Sequence, residues 1–75
     1  MPRAPRVTAD EVLRALARDG WVVDRQVGSH RILSHPAKLG PPNIAYHAGQ
    51  IIPQKTLRSI LKDAGLTLDE FRTLL

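Results

Sequence analysis

Trp21-Val22-Val23-Asp24-Arg25-Gln26-Val27-Gly28-Ser29-His30-Arg31-Ile32-Leu33-Ser34 decides the fold of this chain. Trp21–Gln26 and Arg31–Ser34 are rich in the large and β-branched side chains that suit a pleated surface. Gly28-Ser29 between them suits a type II′ hairpin, because glycine accepts the positive φ that the first loop position requires. His35-Pro36 ends the second strand, since proline cannot donate to a ladder. Side chains alternate across a strand, so His30 and Ile32 share one face and Arg31 and Leu33 the other. Each face carries one apolar residue, and the alternation leaves open which of them meets solvent.

Upstream, Thr8-Ala9-Asp10-Glu11 spells a capping box that opens a helix. Ala9, Val12, Leu13, Leu16 and Ala17 recur at three and four and give it one apolar stripe, with Arg14 and Arg18 off it. Gly20 stops it. Residues 1–7 read as a basic Pro/Arg tail, since Pro2 and Pro5 exclude a helix there and Arg3 and Arg6 add charge. Downstream, 37–42 is a loop and Asn43–Tyr46 a short third strand. His47–Ile52 connects to a second helix introduced by Pro53, where a missing N–H costs little. Leu57, Ile60, Leu61 and Ala64 form its buried stripe, and Gly65 ends it. Thr67-Leu68-Asp69-Glu70 is a second capping box. It opens a short third helix whose Leu68, Phe71, Leu74 and Leu75 either fold over the core or face a partner. The expected architecture is one α+β domain over 8–75. Helices pack on one face of a small three-stranded antiparallel sheet, in the order α-β-β-β-α plus a short C-terminal helix. That order is also that of the double-stranded RNA-binding domain, which admits RNA without requiring it.

Composition narrows the function. Seventy-five residues at 43% hydrophobic content make a single globular domain. No apolar run reaches the roughly 20 residues of a membrane-crossing helix, and no signal-peptide pattern opens the chain. A cytoplasmic protein without a membrane partner is expected. No cysteine is present, which excludes disulfides, thiolate zinc sites and cysteine nucleophiles. The net charge is +4. No acid lies between Arg25 and Lys62, a span that holds Arg31, Lys38, Lys55, Arg58 and all three histidines. A zone of one sign attracts polyanions and favours a nucleic-acid partner.

Within that zone His30 is the candidate for chemistry. An unperturbed histidine titrates near pH 6.5, so it can take a proton from an RNA 2′-hydroxyl or give one to a leaving oxygen. Lys55, Arg58 and Lys62, spaced three and four on the second helix, form a basic stripe able to hold phosphate. The bland alternative is that amphipathic helices carry cations outward anyway. Arg31 is a further RNA-contact candidate, though alternation turns it away from His30. His47 is a second candidate acid or base, if the third strand brings its C-terminal end to the hairpin turn. His35 reads as a polar strand end. Gly28 and Ser29 are explained by the turn, and no acid stands near enough in sequence to make Ser29 a nucleophile. Two histidines without a carboxylate or cysteine fall short of a zinc site, so no metal or other cofactor is expected. Trp21, Tyr46 and Phe71 read as core rather than as a stacking platform.

Gly20–Ile32, Ser34-His35-Pro36, Ala45-Tyr46-His47-Ala48-Gly49 and Lys55–Leu66, in that order and spacing, resemble the HicA-type mRNA interferase toxins over residues 9 to about 71. The resemblance implies a fold like that of the double-stranded RNA-binding domain and a metal-independent endoribonuclease that cleaves mRNA. It implies that His30, presented by Gly28-Ser29, is the essential histidine. It also implies a cognate HicB-type antitoxin that masks His30. His47 matches a histidine often found before the second helix. Two rivals stand beside this reading. One is a non-catalytic double-stranded RNA-binding module using the same basic stripe. The other is a protein-interaction domain using the Leu68–Phe71–Leu75 edge.

Overall fold

The computed structural model describes residues 4–75. Its elements run α1 (Ala9–Arg18), β1 (Val22–Val27), β2 (His30–Ser34), β3 (Asn43–Ala45), α2 (Gln54–Asp63) and α3 (Leu68–Leu74). The strands form one antiparallel sheet in the order β1-β2-β3. This is the α+β order that the sequence implies.

Local chemistry sets the helix ends. Thr8 Oγ1 accepts from Glu11 N and Glu11 Oε1 accepts from Thr8 N, so α1 begins with the full capping box. Thr67 and Glu70 repeat it at α3. At the end of α1, Gly20 N donates to Ala17 O and Trp21 N to Leu16 O, while α2 closes with Gly65 N to Lys62 O and Leu66 N to Leu61 O. Both are Schellman caps, with glycine taking the left-handed position. Between these capped helices, α2 starts differently: Pro53 supplies no side-chain cap, and its first turn holds no acid.

The core lies between the helices and one face of the sheet. Leu33 of β2 and Ile44 of β3 point into it and meet Leu16, Trp21, Leu57 and Phe71, all nearly fully buried. The α2 stripe of Leu57, Ile60, Leu61 and Ala64 is buried as expected. Phe71 folds over the core with Leu68 and Leu74 beside it, whereas Leu75 stays exposed. The α1 stripe differs at one position: Ala15 is buried and Ala17 is exposed. The strand bounds also shift. Trp21 turns inward and precedes β1, and β2 begins one residue earlier, at His30. Every residue of β1 is exposed, because the helical layer covers β2 and β3 and stops short of this outer strand.

Of the tail, residues 1–3, including Arg3, lie outside the described residues. Residues 4–7 lie against the domain. Ala4 and Val7 are buried, Val7 O accepts from Ile52 N at 2.8 Å, and Gln54 Nε2 donates to Ala4 O. A single bridge, Thr8 to Ile51, continues this contact.

Candidate functional site

The hairpin that opens the site closes as its sequence demands. Val27 pairs with His30 across Gly28-Ser29, and Gly28 alone takes a positive φ, +59°, the pattern of a type II′ turn. His30 is therefore the first residue of β2 rather than part of the loop. Across β3 it pairs with Ala45, while Ile32 pairs with Asn43. Leu33 and Ile44 occupy the core face, so His30 is on the opposite, open face and is exposed. The question that alternation left open is thereby answered.

On that face Asn43 Oδ1 lies 3.0 Å from His30 Nδ1. The amide orientation with Oδ1 toward the ring assigns the proton to Nδ1, since an oxygen can only accept. Nε2 has no protein partner among the described residues. A neutral imidazole held by one nitrogen and bare at the other is the form in which histidine accepts a proton.

The same register brings in His47. Tyr46 N donates to Ser29 O at 2.7 Å, so the C-terminal end of β3 meets the hairpin turn. His47 follows directly. It opens a tight turn in which Gln50 N donates to His47 O and Gly49 has φ +75°, the geometry of a type II turn. His47 and Gln50 stand at the two ends of this turn and line a cavity of about 180 Å³ with Ala45, Ile52, Thr56 and Ile60.

The predicted cations fall in different places. Arg31 is on the core face of β2, its guanidinium carbon 3.9 Å from the centre of the Tyr46 ring. Tyr46 in turn donates to Asp10 Oδ2 at 3.0 Å, linking the sheet to α1. That bond to a carboxylate holds the Tyr46 phenol above its ordinary value; desolvation and the Asp10 charge add to the effect and Arg31 opposes it. Lys55, Arg58 and Lys62 are all exposed on α2. Thr56, which lines the cavity, and Arg58 are two residues apart, so about 200° separates them around the helix. The basic stripe thus flanks α2 on the side away from the cavity. Arg6, Arg14 and Arg18 line a second groove of about 330 Å³ with Glu11 and Leu75.

His35 has another setting. Its Nδ1 accepts from Ala37 N at 2.9 Å and its Nε2 donates to Asp19 O at 2.7 Å. Its ring packs edge-on against Trp21, centroids 5.0 Å apart. It is a structural residue with both nitrogens engaged.

Two side chains on the open face were missed by sequence reasoning. One is Asn43, the partner of His30. The other is Arg25, which pairs with Ile32 and so stands diagonally from His30, at about 7–8 Å between Cα atoms. Counting outward from the two-residue loop finds Arg25, because that loop fixes the register. No comparable signal finds Asn43. Among the described residues, no three His, Asp or Glu side chains gather as a metal ion would need. Nor is any helix there long and apolar enough to cross a membrane.

The fold is a small α+β domain with one histidine held by a single hydrogen bond on the open face of its sheet. The family model described as the HicA toxin of bacterial toxin–antitoxin systems matches residues 9–66, well over half of the chain. The chain belongs to the HicA toxin family, and with it goes an antitoxin partner. Comparison with curated proteins gives no match.

Proposed function

We propose that the protein is an endoribonuclease that cleaves mRNA, with His30 as general base. The observation that carries the reading is the His30–Asn43 pair: Nδ1 held at 3.0 Å, Nε2 bare, on an exposed face. Nε2 takes the proton of a ribose 2′-hydroxyl. The resulting oxygen attacks the adjacent phosphorus, the bond to the 5′-oxygen breaks, and that oxygen leaves with a proton from solvent or from His47. The products are a 2′,3′-cyclic phosphate and a 5′-hydroxyl. Neither redox chemistry nor a hydrolytic water enters this step.

RNA is the polyanion that the acid-free span from Arg25 to Lys62 suits. Arg25 shares the face of His30, and Lys55, Arg58 and Lys62 supply a longer track for the backbone. Arg31, engaged with Tyr46 on the other face, supports the fold before it supports RNA. The antitoxin partner is of the HicB type and covers His30, the group whose occlusion silences the chemistry.

The test is a labelled RNA incubated with purified protein, in excess chelator, beside His30→Ala. Wild type cleaves and leaves cyclic phosphate ends, while His30→Ala binds the RNA and leaves it intact. Equal cleavage by the variant removes His30 from the mechanism. Binding without turnover by either protein establishes the RNA-binding module instead.

A further inference from the structure

The cavity beside β3 is distinct from the His30–Asn43 pair, and its position and lining give it a role other than that of the general base. Ala45 is the cross-strand partner of His30 and also lines the cavity, so the two places are joined by a single residue pair. Ile52 and Ile60 are buried and form an apolar floor. His47, Gln50 and Thr56 are exposed and ring the mouth with donors and acceptors. The turn from His47 to Gln50 fixes two of these three on one short, hydrogen-bonded segment. The volume of about 180 Å³ is below the roughly 300–1,000 Å³ of ordinary small-molecule sites. A flat heteroaromatic ring fits such a space, whereas a whole nucleotide or a folded peptide segment does not.

We infer that this cavity is a base-binding subsite: it receives one splayed-out nucleobase next to the phosphodiester presented to His30, and so selects where the RNA is cut. Single-stranded RNA is read in this way, with an unstacked base placed on an apolar surface and its edge hydrogen-bonded. Gln50 offers both a donor and an acceptor to that edge, and Thr56 a hydroxyl that serves as either. The apolar floor takes the face of the ring. The basic stripe on the far flank of α2 then carries backbone phosphates outside the cavity rather than within it. The substrate class rests on the ribonuclease reading; the ability to hold a base does not.

The experiment separates the two. Backbone amide shifts of the wild-type protein are followed by NMR as each of the four ribonucleoside 3′-monophosphates is added, with ribose 5-phosphate as the control. Saturable shifts at Ala45, Gln50 and Thr56 with one or two of the bases, absent with ribose 5-phosphate, are expected. Thr56→Trp, which fills the cavity from an exposed helix position, abolishes them. Gln50→Ala, which leaves the fold untouched, weakens them by about tenfold, the effect of a lost bond to a base edge. On a mixed RNA pool, Gln50→Ala raises KM and broadens the set of cleaved phosphodiesters. Equal shifts with ribose 5-phosphate, or none with any base, overturn the subsite even if the protein cleaves RNA. Base-dependent shifts in a protein that cleaves nothing sustain the subsite and overturn the nuclease reading.

Discussion

His30 opens β2 and His35 follows its last residue, and the molecule treats them oppositely. Around His35 both ring nitrogens and the Asp19 and Lys38 groups are hydrogen-bonded, and only the buried Trp21 Nε1 beside them has no hydrogen-bond partner among the described residues. Asp19 closes α1, its carbonyl accepts a hydrogen bond from His35 Nε2, and its carboxylate pairs with Lys38 Nζ at 2.6 Å. Lys38 reaches on to Ala64 O and so ties the end of α2 to the same knot. Trp21 covers the ring from inside the core. Around His30, one hydrogen bond sets the ring and the other nitrogen is left to solvent. A histidine with both nitrogens bonded within the fold offers none to a ligand, whereas one with a free nitrogen can exchange a proton with a ligand. Residue type alone gives no such distinction; partners and exposure do.

The sharpest way to test this contrast is to remove each ring in turn. His30→Ala should lower cleavage by about 10²–10⁴, the usual worth of a positioned general base. Its unfolding free energy from urea denaturation should stay within about 0.5 kcal/mol of wild type, as for most exposed positions. His35→Ala should do the reverse. It removes the bonds to Ala37 N and Asp19 O and the ring packed against Trp21, and costs about 1–3 kcal/mol of stability, while cleavage per folded molecule holds. If His35→Ala loses activity with its fold intact, the contrast fails.

Asn43 tests the contrast more finely, since it is the single bond that orients His30. Asn43→Ala should slow turnover by about tenfold, in line with one neutral hydrogen bond lost. Asn43→Asp keeps an acceptor against Nδ1 but adds a negative charge, which favours the imidazolium. A base must be unprotonated to act, so the acid limb of the pH–rate profile should move to higher pH in Asn43→Asp. A profile that stays in place would mean that Asn43 does not act through His30.

On the His35 side, the comparable test is close packing. Gly20 has φ +101°, and a Cβ placed there would lie 2.7 Å from His35 Nε2. Gly20→Ala should cost about 1–3 kcal/mol from backbone strain together with that clash. Because part of the cost is the ring, the double variant Gly20→Ala/His35→Ala should lose less than the sum of the single variants. Strict additivity in chemical denaturation would show that the two residues are not in contact.

What was legible in the sequence follows the range of the interactions. Thr8–Glu11 and Thr67–Glu70 are bonds over three residues, and their letters spell them out. The Gly28-Ser29 hairpin is equally local, and it fixes the β1–β2 register as far as Arg25. At Asp24 a bulge then shifts the pairing. The β2–β3 register passes through the 35–42 loop, whose length sets no offset, so the Asn43 partner of His30 could not be read in advance. The edges of the α1 stripe are ambiguous for a similar reason. Ala15 and Ala17 flank it on either side, and only the packing partners choose between them. The exposure of Val22 and Val23, at 60% and 48%, reflects how far the helical layer reaches, which no local pattern encodes.

The smallest expected effect lies at the other satisfied region, the α3 cap. Glu70 accepts from Thr67 N, and that bond, with the Thr67 hydroxyl and the nearby Lys38 charge adding, holds its carboxyl below the ordinary glutamate value. A carboxyl with a lower value when folded binds its proton first in the unfolded chain. Its contribution is therefore full above the ordinary glutamate range and is lost as pH falls through the depressed value. Glu70→Gln keeps an acceptor for the cap and removes the titration. The Tm of wild type should thus fall more steeply than that of Glu70→Gln as pH is lowered through the carboxylate range, with the two curves converging in acid. Parallel curves would mean that the cap does not couple to pH.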